Sequence, residues 1–361
     1  MKVCFAFNHF NFMDGITRTA IGIANVLESR GIEVTLCPLF RYDKRVKDLL
    51  NPGVRVRPVF GFYFRGMSHL AARLPQSFLY KKVFGGEAYD VEVAFQFGLA
   101  TRIVAESPSK AAHWGWMHGY DYDMEMKDCY LRMDRMICVS RCNAERLRRD
   151  LDGRVPVESC YNPIDDARIR RMGAEVADRE RDGSFLFVSV GRLSPEKGFD
   201  RLIRSVATLR REGFACKLWL VGDGDERGRL EALIRQEALG DAVILLGKQS
   251  NPHRYTAKAD LFVCSSTSEG YSTACTEAIM LGVPVLSTNV SGAEEMIGMA
   301  EAGMVVENSA DALRDAMRAV LEHPETVKEW KNRLAGTRER FSCAVRAEKL
   351  LELFGKAGEQ K

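Results

Sequence analysis

Several features that would assign this chain to a specialised class are missing from its sequence. No apolar run reaches the roughly 18 residues that a membrane-spanning helix needs, so no transmembrane segment is predicted. The net charge is only +3, which is too small to predict nucleic-acid binding. Cys138 and Cys142 are four residues apart, but no second cysteine pair or histidine pair completes a zinc site.

The ten cysteines are scattered and lie mostly in apolar stretches, which predicts reduced core thiols and a cytoplasmic location. The first eight residues are predicted to form a β-strand and not a signal peptide, because they lack a long apolar region and a cleavage site. Hydrophobic residues make up 46% of the chain and charged residues 28%, which is typical of a globular protein.

The 361 residues are too many for one ordinary α/β core and predict two domains. Short β-rich runs alternate with amphipathic helical stretches, as in parallel α/β sheets. One series ends near Asn162 and Pro163, where we place the hinge, and a second series begins near Ser184. We therefore expect one Rossmann-like domain over residues 1–163 and another over residues 164–338.

The loop after the first strand of the second series carries two cations. Arg192 and Lys197 flank a Ser-Pro turn at the entrance of a predicted helix. Open α/β sheets bind ligands beyond the carboxyl ends of their strands, and a helix N-terminus favours anions. The loop therefore predicts a diphosphate site, with an ordinary solvated surface loop as the alternative.

A second loop, residues 265–272, leads from a predicted strand into a helix that Ser272 or Thr273 is expected to cap. Glu269 precedes the cap, and Glu277 lies about one turn inside the helix. Carboxylates accept hydrogen bonds from neighbouring sugar hydroxyls, and the N–H groups near the cap can meet a phosphate. Two exposed helix acids without a ligand are the alternative interpretation.

Taken together, the motifs of the second half resemble those of the retaining glycosyltransferases of family 4. The matching segments are Gly191-Arg192 with Lys197-Gly198, Val221-Gly222-Asp223-Gly224, Glu269-Gly270-Tyr271-Ser272 with Glu277-Ala278, Gly282-Val283-Pro284-Val285, and Gly292 to Glu295. The resemblance covers most of residues 185–300 and continues more weakly through Tyr161 to Asp165. Ser265 and Ser272 depart from the Pro and Gly that the family commonly has there, and the donor stays unassigned.

This resemblance implies the GT-B fold. That fold has two Rossmann-like domains whose parallel sheets face each other across a cleft, and its C-terminal helix, here within residues 339–361, returns to the first domain. The resemblance also implies catalytic roles for His118, Glu269, Arg192 and Lys197. The donor-binding residues that it implies are Gly15, Arg192, Lys197, Gly247, Lys248, Glu269, Gly270, Tyr271, Ser272, Thr273 and Glu277.

Within that set, Arg192 and Lys197 would hold the donor diphosphate, Glu269 the transferred sugar, and Glu277 the ribose. Gly247 and Lys248 would lie beside the nucleobase. In the first half, Met13-Asp14-Gly15 would approach the donor phosphates. His118 would hydrogen-bond the transferred sugar, and a structural histidine at a strand end is the alternative for that residue.

No metal and no cofactor are expected, because the two cations would stabilise the departing diphosphate as a metal ion does elsewhere. The acidic pairs Asp121/Asp123 and Asp223/Asp225 are similar to a metal-binding D-x-D motif, but we interpret them as polar loop acids. The donor would be a nucleoside-diphosphate sugar, which is a co-substrate. By resemblance, the anomeric configuration of the sugar would be retained.

The predicted function is transfer of a sugar to a glycan or lipid-linked acceptor, in the synthesis of a cell-surface polysaccharide. Two alternatives remain at this point. One is a nucleotide-sugar epimerase of GT-B-like fold, which would need no acceptor. The other is a catalytically silent protein that binds nucleotide-sugars. Arg192, Lys197, Glu269 and Glu277 together argue against the silent protein.

Residues 41–82 are basic, with ten Lys and Arg against two Asp, and six aromatic side chains are interleaved from Phe60 to Tyr80. Such a surface can rest on anionic lipid or hold an anionic acceptor. An ordinary charged face around buried aromatic residues is the alternative. The first interpretation predicts peripheral contact with the inner face of a membrane.

Overall fold

The computed structural model describes residues 1–11, 15–119 and 124–359, with side chains up to residue 355. Within it the chain forms two compact units. Unit 1 comprises Met1–Ile164 and Cys343–Lys361, and unit 2 comprises Asp165–Ser342.

Unit 1 is built on a parallel sheet of seven strands in the order β3-β2-β1-β4-β5-β6-β7. Its strands are β1 (Lys2–Phe10), β2 (Glu33–Tyr42), β3 (Arg55–Val56), β4 (Val91–Ala94), β5 (Ala112–Met117), β6 (Arg135–Cys138) and β7 (Val157–Ser159). Its helices before the hinge are α1 (Gly15–Glu28), α2 (Met67–Ala71), α3 (Gln76–Phe84), α4 (Leu99–Ala105), α5 (Lys127–Tyr130) and α6 (Arg141–Asp150). Short 3-10 helices cover Lys44–Leu49 and Met124–Met126.

Unit 2 contains a parallel sheet of six strands in the order β10-β9-β8-β11-β12-β13. Its strands are β8 (Phe185–Val190), β9 (Cys216–Val221), β10 (Val243–Gly247), β11 (Leu261–Cys264), β12 (Val285–Thr288) and β13 (Gly303–Val306). Its helices are α7 (Asp166–Gly173), α8 (Phe199–Arg211), α9 (Arg227–Gln236), α10 (His253–Thr256), α11 (Thr273–Met280), α12 (Ala293–Ala300), α13 (Ala310–Glu322) and α14 (Pro324–Thr337). Pro195–Lys197 and Arg338–Phe341 are 3-10 helices.

The last helix, α15 (Cys343–Glu359), packs in unit 1. Phe354 is completely buried, and its ring centroid lies 4.8 Å from that of Trp114 on β5. The ring of Phe5 on β1 lies 6.3 Å away. The apolar spacing of the tail predicts a helix with one buried face, and the sheet of unit 1 covers that face.

The central strands of both sheets are continuous apolar runs, because helices cover a parallel sheet on both faces. In the sequence, such runs predict strands over residues 185–190 and 285–288, and these coincide with β8 and β12. The sequence missed β3, β7 and β13, which have two to four residues and lie at or beside a sheet edge. It also missed α2, α3 and α7, which are short helices in polar or basic surroundings.

Each sheet reverses its winding direction once, and this switch point determines where a ligand can bind. In unit 1 the reversal lies between β1 and β4, and in unit 2 it lies between β8 and β11. In open α/β sheets, the crevice outside the carboxyl ends of the strands at this point is the usual ligand site. The loops after β8 and β11 are those that carry Arg192, Lys197 and Glu269.

Candidate functional site

The two loops at the switch point of unit 2, which follow β8 and β11, are joined by hydrogen bonds. The Ser265 hydroxyl donates a hydrogen bond to the Lys197 carbonyl at 2.8 Å. The Thr267 N–H donates to the Glu196 carbonyl at 2.7 Å. A proline in place of Ser265 would lack the first of these bonds, so this departure from the family pattern has a structural role here.

Lys197 and Glu269 form an ion pair at this junction. Their Nζ and Oε1 atoms are 2.6 Å apart, and the Ser266 hydroxyl donates a second hydrogen bond to the same Oε1 atom at 2.6 Å. Burial of Lys197 acts to lower its pKa, but the charge of Glu269 and its hydrogen bond outweigh burial, and the pKa is raised. Lys197 is therefore a permanent cation at neutral pH, held in a fixed position.

Arg192 is an exposed cation at the start of the loop after β8. Its guanidinium group makes no ion pair with any residue that the structure describes. Lys197, by contrast, is only 25% exposed. The loop thus offers one oriented cation and one free cation to an anion.

Two glycines of this region allow close packing that a side chain would prevent. Gly222 has φ +145°, and a Cβ atom there would collide with the carbonyl oxygen of Gly191. Gly198 has φ +60°, and its Cβ would collide with the carbonyl oxygen of Ser265. The glycines of the predicted motifs therefore let the loops after β8, β9 and β11 approach each other.

Arg201, on the first turn of α8, is a residue that the sequence analysis missed. Its Nε donates to the Ser265 carbonyl at 2.7 Å, and its Nη2 donates to the Ser266 carbonyl at 2.6 Å. Its Nη1 donates to the Asn308 side-chain oxygen at 2.8 Å, and the Asn308 amide donates to the Thr267 carbonyl at 3.0 Å. Arg201 thus acts on Glu269 by fixing the backbone of the loop before it.

The helix after this loop begins as the sequence predicted. Ser272 is the N-cap of α11, and its hydroxyl accepts a hydrogen bond from the Cys275 N–H at 3.3 Å. Thr273 is the first helical residue, and Tyr271 before the cap is buried. The first-turn N–H groups of a helix have no acceptor within the helix, so this terminus favours an anion.

Glu277 is not an exposed helix acid. Its residue is only 9% exposed, and its Oε2 lies 3.8 Å from Nδ1 of the buried His253 on α10. A carboxylate held among buried neighbours has a defined orientation, which hydroxyl recognition requires. His253 had no sequence signal, because α10 has only four residues and shows no periodicity.

Of the other predicted donor-site residues of unit 2, Gly247 and Lys248 lie farther from this junction, whereas Gly270 belongs to it. Gly247 ends β10, and its carbonyl accepts a hydrogen bond from the Gly222 N–H at 2.9 Å. Lys248 follows it and is exposed. Since β10 is two strands from β8, these residues are roughly 10 Å from the Lys197 loop. Gly270 lies between Glu269 and Tyr271 and is partly buried.

The remaining predicted residues belong to unit 1. Gly15 is exposed and begins α1, whereas Met13 and Asp14 lie outside the described residues. His118 follows β5, and its ring packs edge-on against Phe95 with centroids 4.3 Å apart. Burial lowers the pKa of His118 to about 3, although a backbone hydrogen bond with Phe95 opposes this effect. Nε2 of His118 has no hydrogen-bond partner within the described part of the chain.

Amide side chains, which the sequence analysis also missed, join the strands at the switch point of unit 1. The Gln96 side-chain oxygen accepts hydrogen bonds from the N–H groups of Asn8 and His9 at 2.9 and 3.0 Å. The Asn8 amide donates to the Phe97 carbonyl at 2.6 Å. These neutral groups fix the loop after β4.

The described residues contain no group of three or more His, Cys, Asp or Glu side chains that could hold a metal ion. Asp121 and Asp123 lie outside the described residues. Asp223 accepts a hydrogen bond from the Gly224 N–H at 2.9 Å and lies 3.7 Å from Arg227. Both contacts are made by Oδ1, so this acid has local partners within its own loop and helix.

The comparisons with known proteins agree with this geometry. The family model described as glycosyl transferases group 1 matches residues 175–335. A Campylobacter jejuni protein named N-acetylgalactosamine-N,N'-diacetylbacillosaminyl-diphospho-undecaprenol 4-alpha-N-acetylgalactosaminyltransferase is 32% identical over 56% of this chain and 55% of its own length. The chain thus spans about half of that relative.

Two further similarities extend over the whole chain. The lipopolysaccharide core biosynthesis glycosyltransferase LpsD of Rhizobium meliloti is 26% identical over 96% of both chains. The crystal structure of HepE from Anabaena in complex with UDP has a TM-score of 0.74 and 19% identity, covering 99% of this chain and all of that one. The HepE structure supports the fold, and the names of LpsD and of the Campylobacter relative support a transferase and lend no support to the epimerase alternative.

No helix among the described residues has the length and apolar character that a membrane crossing requires.

The GT-B fold predicted from the sequence is confirmed by the two parallel sheets and by the structural neighbour. The chain therefore has the GT-B fold and is similar to named glycosyltransferases, and its residues 175–335 match the model of the glycosyl transferases group 1 family.

Proposed function

We propose that this protein is a glycosyltransferase that moves a sugar from a nucleoside-diphosphate sugar to a glycan or lipid-linked acceptor. The observation that carries the proposal is the Lys197–Glu269 pair, with Arg192 nearby, at the switch point of unit 2. A cation beside a carboxylate suits a ligand that joins a diphosphate to a polyol. The family model over residues 175–335 supports the same class.

Cleavage of a glycosyl–phosphate bond leaves negative charge on the departing diphosphate. The Lys197 ammonium has three N–H donors, of which Glu269 takes one, so two remain for phosphate oxygens. Arg192 adds a guanidinium group that has no other partner among the described residues. A cation held in place, as Lys197 is by Glu269, stabilises the leaving charge without reorganisation during the reaction.

The carboxylates serve the hydroxyl groups of the donor in this proposal. Glu269 accepts hydrogen bonds from the transferred sugar, and Glu277 accepts them from the ribose. Gly270, Tyr271, Ser272 and Thr273 supply the backbone between them. His118 stays a prediction for a sugar contact, and its lowered pKa keeps the imidazole neutral, so that it can exchange a hydrogen bond with a hydroxyl.

Several finer points belong to the proposal. We infer retention of configuration and membership of family 4 from the motif pattern, and we assign no nucleophile. No metal or cofactor is required in this scheme. The name of the Campylobacter relative includes a diphospho-undecaprenol acceptor, and LpsD is named for lipopolysaccharide core synthesis, which supports a cell-surface polysaccharide as the product. The ten cysteines are all free, which supports a cytoplasmic location.

The test is calorimetric titration of the protein with UDP, GDP and ADP in a buffer containing EDTA. We expect one diphosphate to bind, and Lys197→Ala and Arg192→Ala each to weaken that binding by at least tenfold, about 1.4 kcal/mol. Lys197→Ala should weaken it more, because that ammonium is already oriented.

Arg211→Ala is the matched control, since Arg211 is an exposed cation at the far end of α8, roughly 18 Å from its first residue. The affinity of Arg211→Ala for the nucleoside diphosphate should equal that of the wild type. Unchanged affinity in both loop variants would refute the diphosphate assignment. Binding that appears only after manganese replaces EDTA would refute the metal-free scheme.

A further inference from the structure

The segment Gly61–Lys82, here called the apolar–basic segment, exposes an unusual number of large apolar side chains. The exposed fractions are 60% for Phe62, 50% for Phe64, 53% for Leu70, 37% for Leu74 and 49% for Phe78. The rest of the described chain has only four such residues, namely Phe97, Met124, Val176 and Val345. Clustered exposed apolar groups mark interaction surfaces, whereas single ones need no explanation.

The segment is nevertheless folded onto the core of unit 1. Met67 and Ala71 of α2 are buried, as are Leu79 and Val83 of α3. Each pair is spaced four residues apart, so one face of each helix packs inward. The exposed apolar side chains are therefore additional to those that folding buries.

Phe62 and Phe64 lie in the loop before α2, and their rings are stacked with centroids 6.5 Å apart. The Phe64 carbonyl accepts a hydrogen bond from the Met67 N–H at 3.1 Å, which joins this loop to the helix. Both residues are at least half exposed. The two phenyl groups form a small exposed apolar pair, and the exposed cation Arg65 directly follows Phe64 in the chain.

The charges of the segment are of one sign. Arg65, Arg73, Lys81 and Lys82 are exposed, and none makes an ion pair with a residue in the described ranges. No acidic residue occurs between Asp48 and Glu87. The segment therefore presents four uncompensated cations among five exposed apolar side chains.

Several of the preceding basic residues have partners within unit 1. Arg45 pairs with Asp43 at 2.6 Å, and Arg55 pairs with Glu87 at 3.2 Å. The guanidinium of Arg41 lies 4.8 Å from the centre of the Tyr63 ring. Lys44 and Lys47 are exposed and make no ion pair with a described residue. Four of the six cations of residues 41–82 that have neither an ion pair nor a ring contact among the described residues therefore lie in the apolar–basic segment.

We propose that the apolar–basic segment docks this protein on an anionic lipid bilayer. Phenyl and leucine side chains enter the boundary between headgroups and acyl chains, and the cations stay at the level of the anionic headgroups. A fluid bilayer needs no shape complementarity, so it can cover a loop, a one-turn helix and a second helix together. An acidic protein surface would match the charges but would have to supply pockets for five separate apolar side chains.

This proposal is independent of the proposed transferase activity. All of its residues belong to unit 1, and none is among the residues assigned to the donor. Loss of lipid binding would leave nucleotide binding intact, and the two failures are therefore distinguishable. The consequence for function is that a lipid-linked acceptor would be met at the bilayer surface.

The experiment is co-sedimentation of the full chain with vesicles of phosphatidylcholine alone or mixed with phosphatidylglycerol, at low and physiological salt. We expect binding to the anionic vesicles only, and weaker binding as salt rises. Arg73→Ser/Lys81→Ser/Lys82→Ser should reduce it by roughly 100-fold, because each of the three cations near such a surface contributes about fivefold. Phe62→Ser/Phe64→Ser should reduce it at least tenfold and leave the melting temperature unchanged.

Lys44→Ser/Arg45→Ser/Lys47→Ser is the matched control, with three cations removed just outside the segment. It should bind at least ten times more tightly than the triple variant of the segment. A wild type that ignores anionic vesicles at low salt would overturn the proposal, as would equal losses in both triple variants. A third result would also overturn the proposal. If the wild type does not bind vesicles, and light scattering shows that it is a dimer whereas Phe62→Ser/Phe64→Ser is a monomer, the surface binds a second copy of the chain.

Discussion

The two units share a plan but differ in the chemistry at corresponding points. In each, the first strand lies between its sequence neighbour and the strand where winding reverses, β1 between β2 and β4, and β8 between β9 and β11. In unit 1 the end of β1 and the loop after β4 carry the neutral amides Asn8 and Gln96. In unit 2 the loops after β8 and β11 carry Lys197 and Glu269.

The difference teaches that topology determines where a site can be, whereas side chains determine what it binds. Neutral amides exchanging hydrogen bonds with the backbone make a rigid strand end. A partly buried ion pair next to a free cation makes a site for an anion that also has hydroxyl groups. Variants that affect one unit and spare the other are therefore the most direct tests of this contrast.

The largest expected effect concerns the helix that completes unit 1. Phe354→Ala removes a fully buried ring that packs on Trp114, and should lower the free energy of unfolding by about 3–5 kcal/mol. Urea denaturation followed by tryptophan fluorescence and circular dichroism measures it. Val345→Ala, on an exposed position of the same helix, is the control and should cost less than about 0.5 kcal/mol. Equal midpoints for the two variants would contradict the packing of α15.

The next effect concerns the loop support in unit 2. Arg201→Ala removes the hydrogen bonds to the carbonyls of Ser265 and Ser266 and should destabilise this unit by roughly 3 kcal/mol. Nucleotide affinity should also fall, although Arg201 is not assigned a ligand contact. Arg201→Lys should restore little of the lost stability or affinity, because a lysine ammonium cannot reproduce the planar guanidinium group that donates to both carbonyls.

Arg204→Ala is the control for this prediction, because Arg204 is an exposed arginine on the same helix. Calorimetry measures the nucleotide affinity of Arg201→Ala, Arg201→Lys and Arg204→Ala, and urea denaturation measures their free energy of unfolding. If Arg201→Ala loses stability but keeps full nucleotide affinity, Arg201 is structural only and does not position Glu269.

The smallest effect concerns the neutral histidine of unit 1. Its folded-state pKa of about 3 is below the ordinary value of 6.5, so the unfolded chain takes up a proton first as pH falls. His118 therefore contributes stability that is complete above pH 6.5 and is lost toward pH 3, at about 1.4 kcal/mol per pH unit.

His118→Asn should lessen this acid destabilisation by about 2 kcal/mol between about pH 6.5 and 5, measured as the difference from the wild type in urea denaturation. The pH dependence of wild-type activity should show no change from titration of His118 near pH 6.5, the ordinary pKa of a histidine. A pH-dependent stability identical in both proteins would mean that His118 is accessible to protons in the folded state.

Much of the candidate site was visible in the sequence because it is local. The strand β8, the cap Ser272 and the loop with Arg192 and Lys197 each occupy one short stretch whose pattern has a physical cause. The glycines Gly198 and Gly222 were also visible as motif letters, although the reason for them is a close approach between loops. Short edge strands and one-turn helices were not predicted, because a segment of a few residues shows no hydrophobic periodicity.

The amino-acid sequence by itself determined the alternation of strands and helices, the parallel class of both sheets, and the loops that carry chemistry. Only the tertiary structure decided which side chains meet. Lys197 and Glu269 are 72 residues apart, and Arg201 reaches carbonyls 64 and 65 residues away, because β8 and β11 are neighbours in the sheet. It also decided which cations of residues 41–82 have carboxylate partners. Hydrophobic periodicity is a local property of the chain, whereas charge pairing and burial depend on strand order, which brings distant residues together.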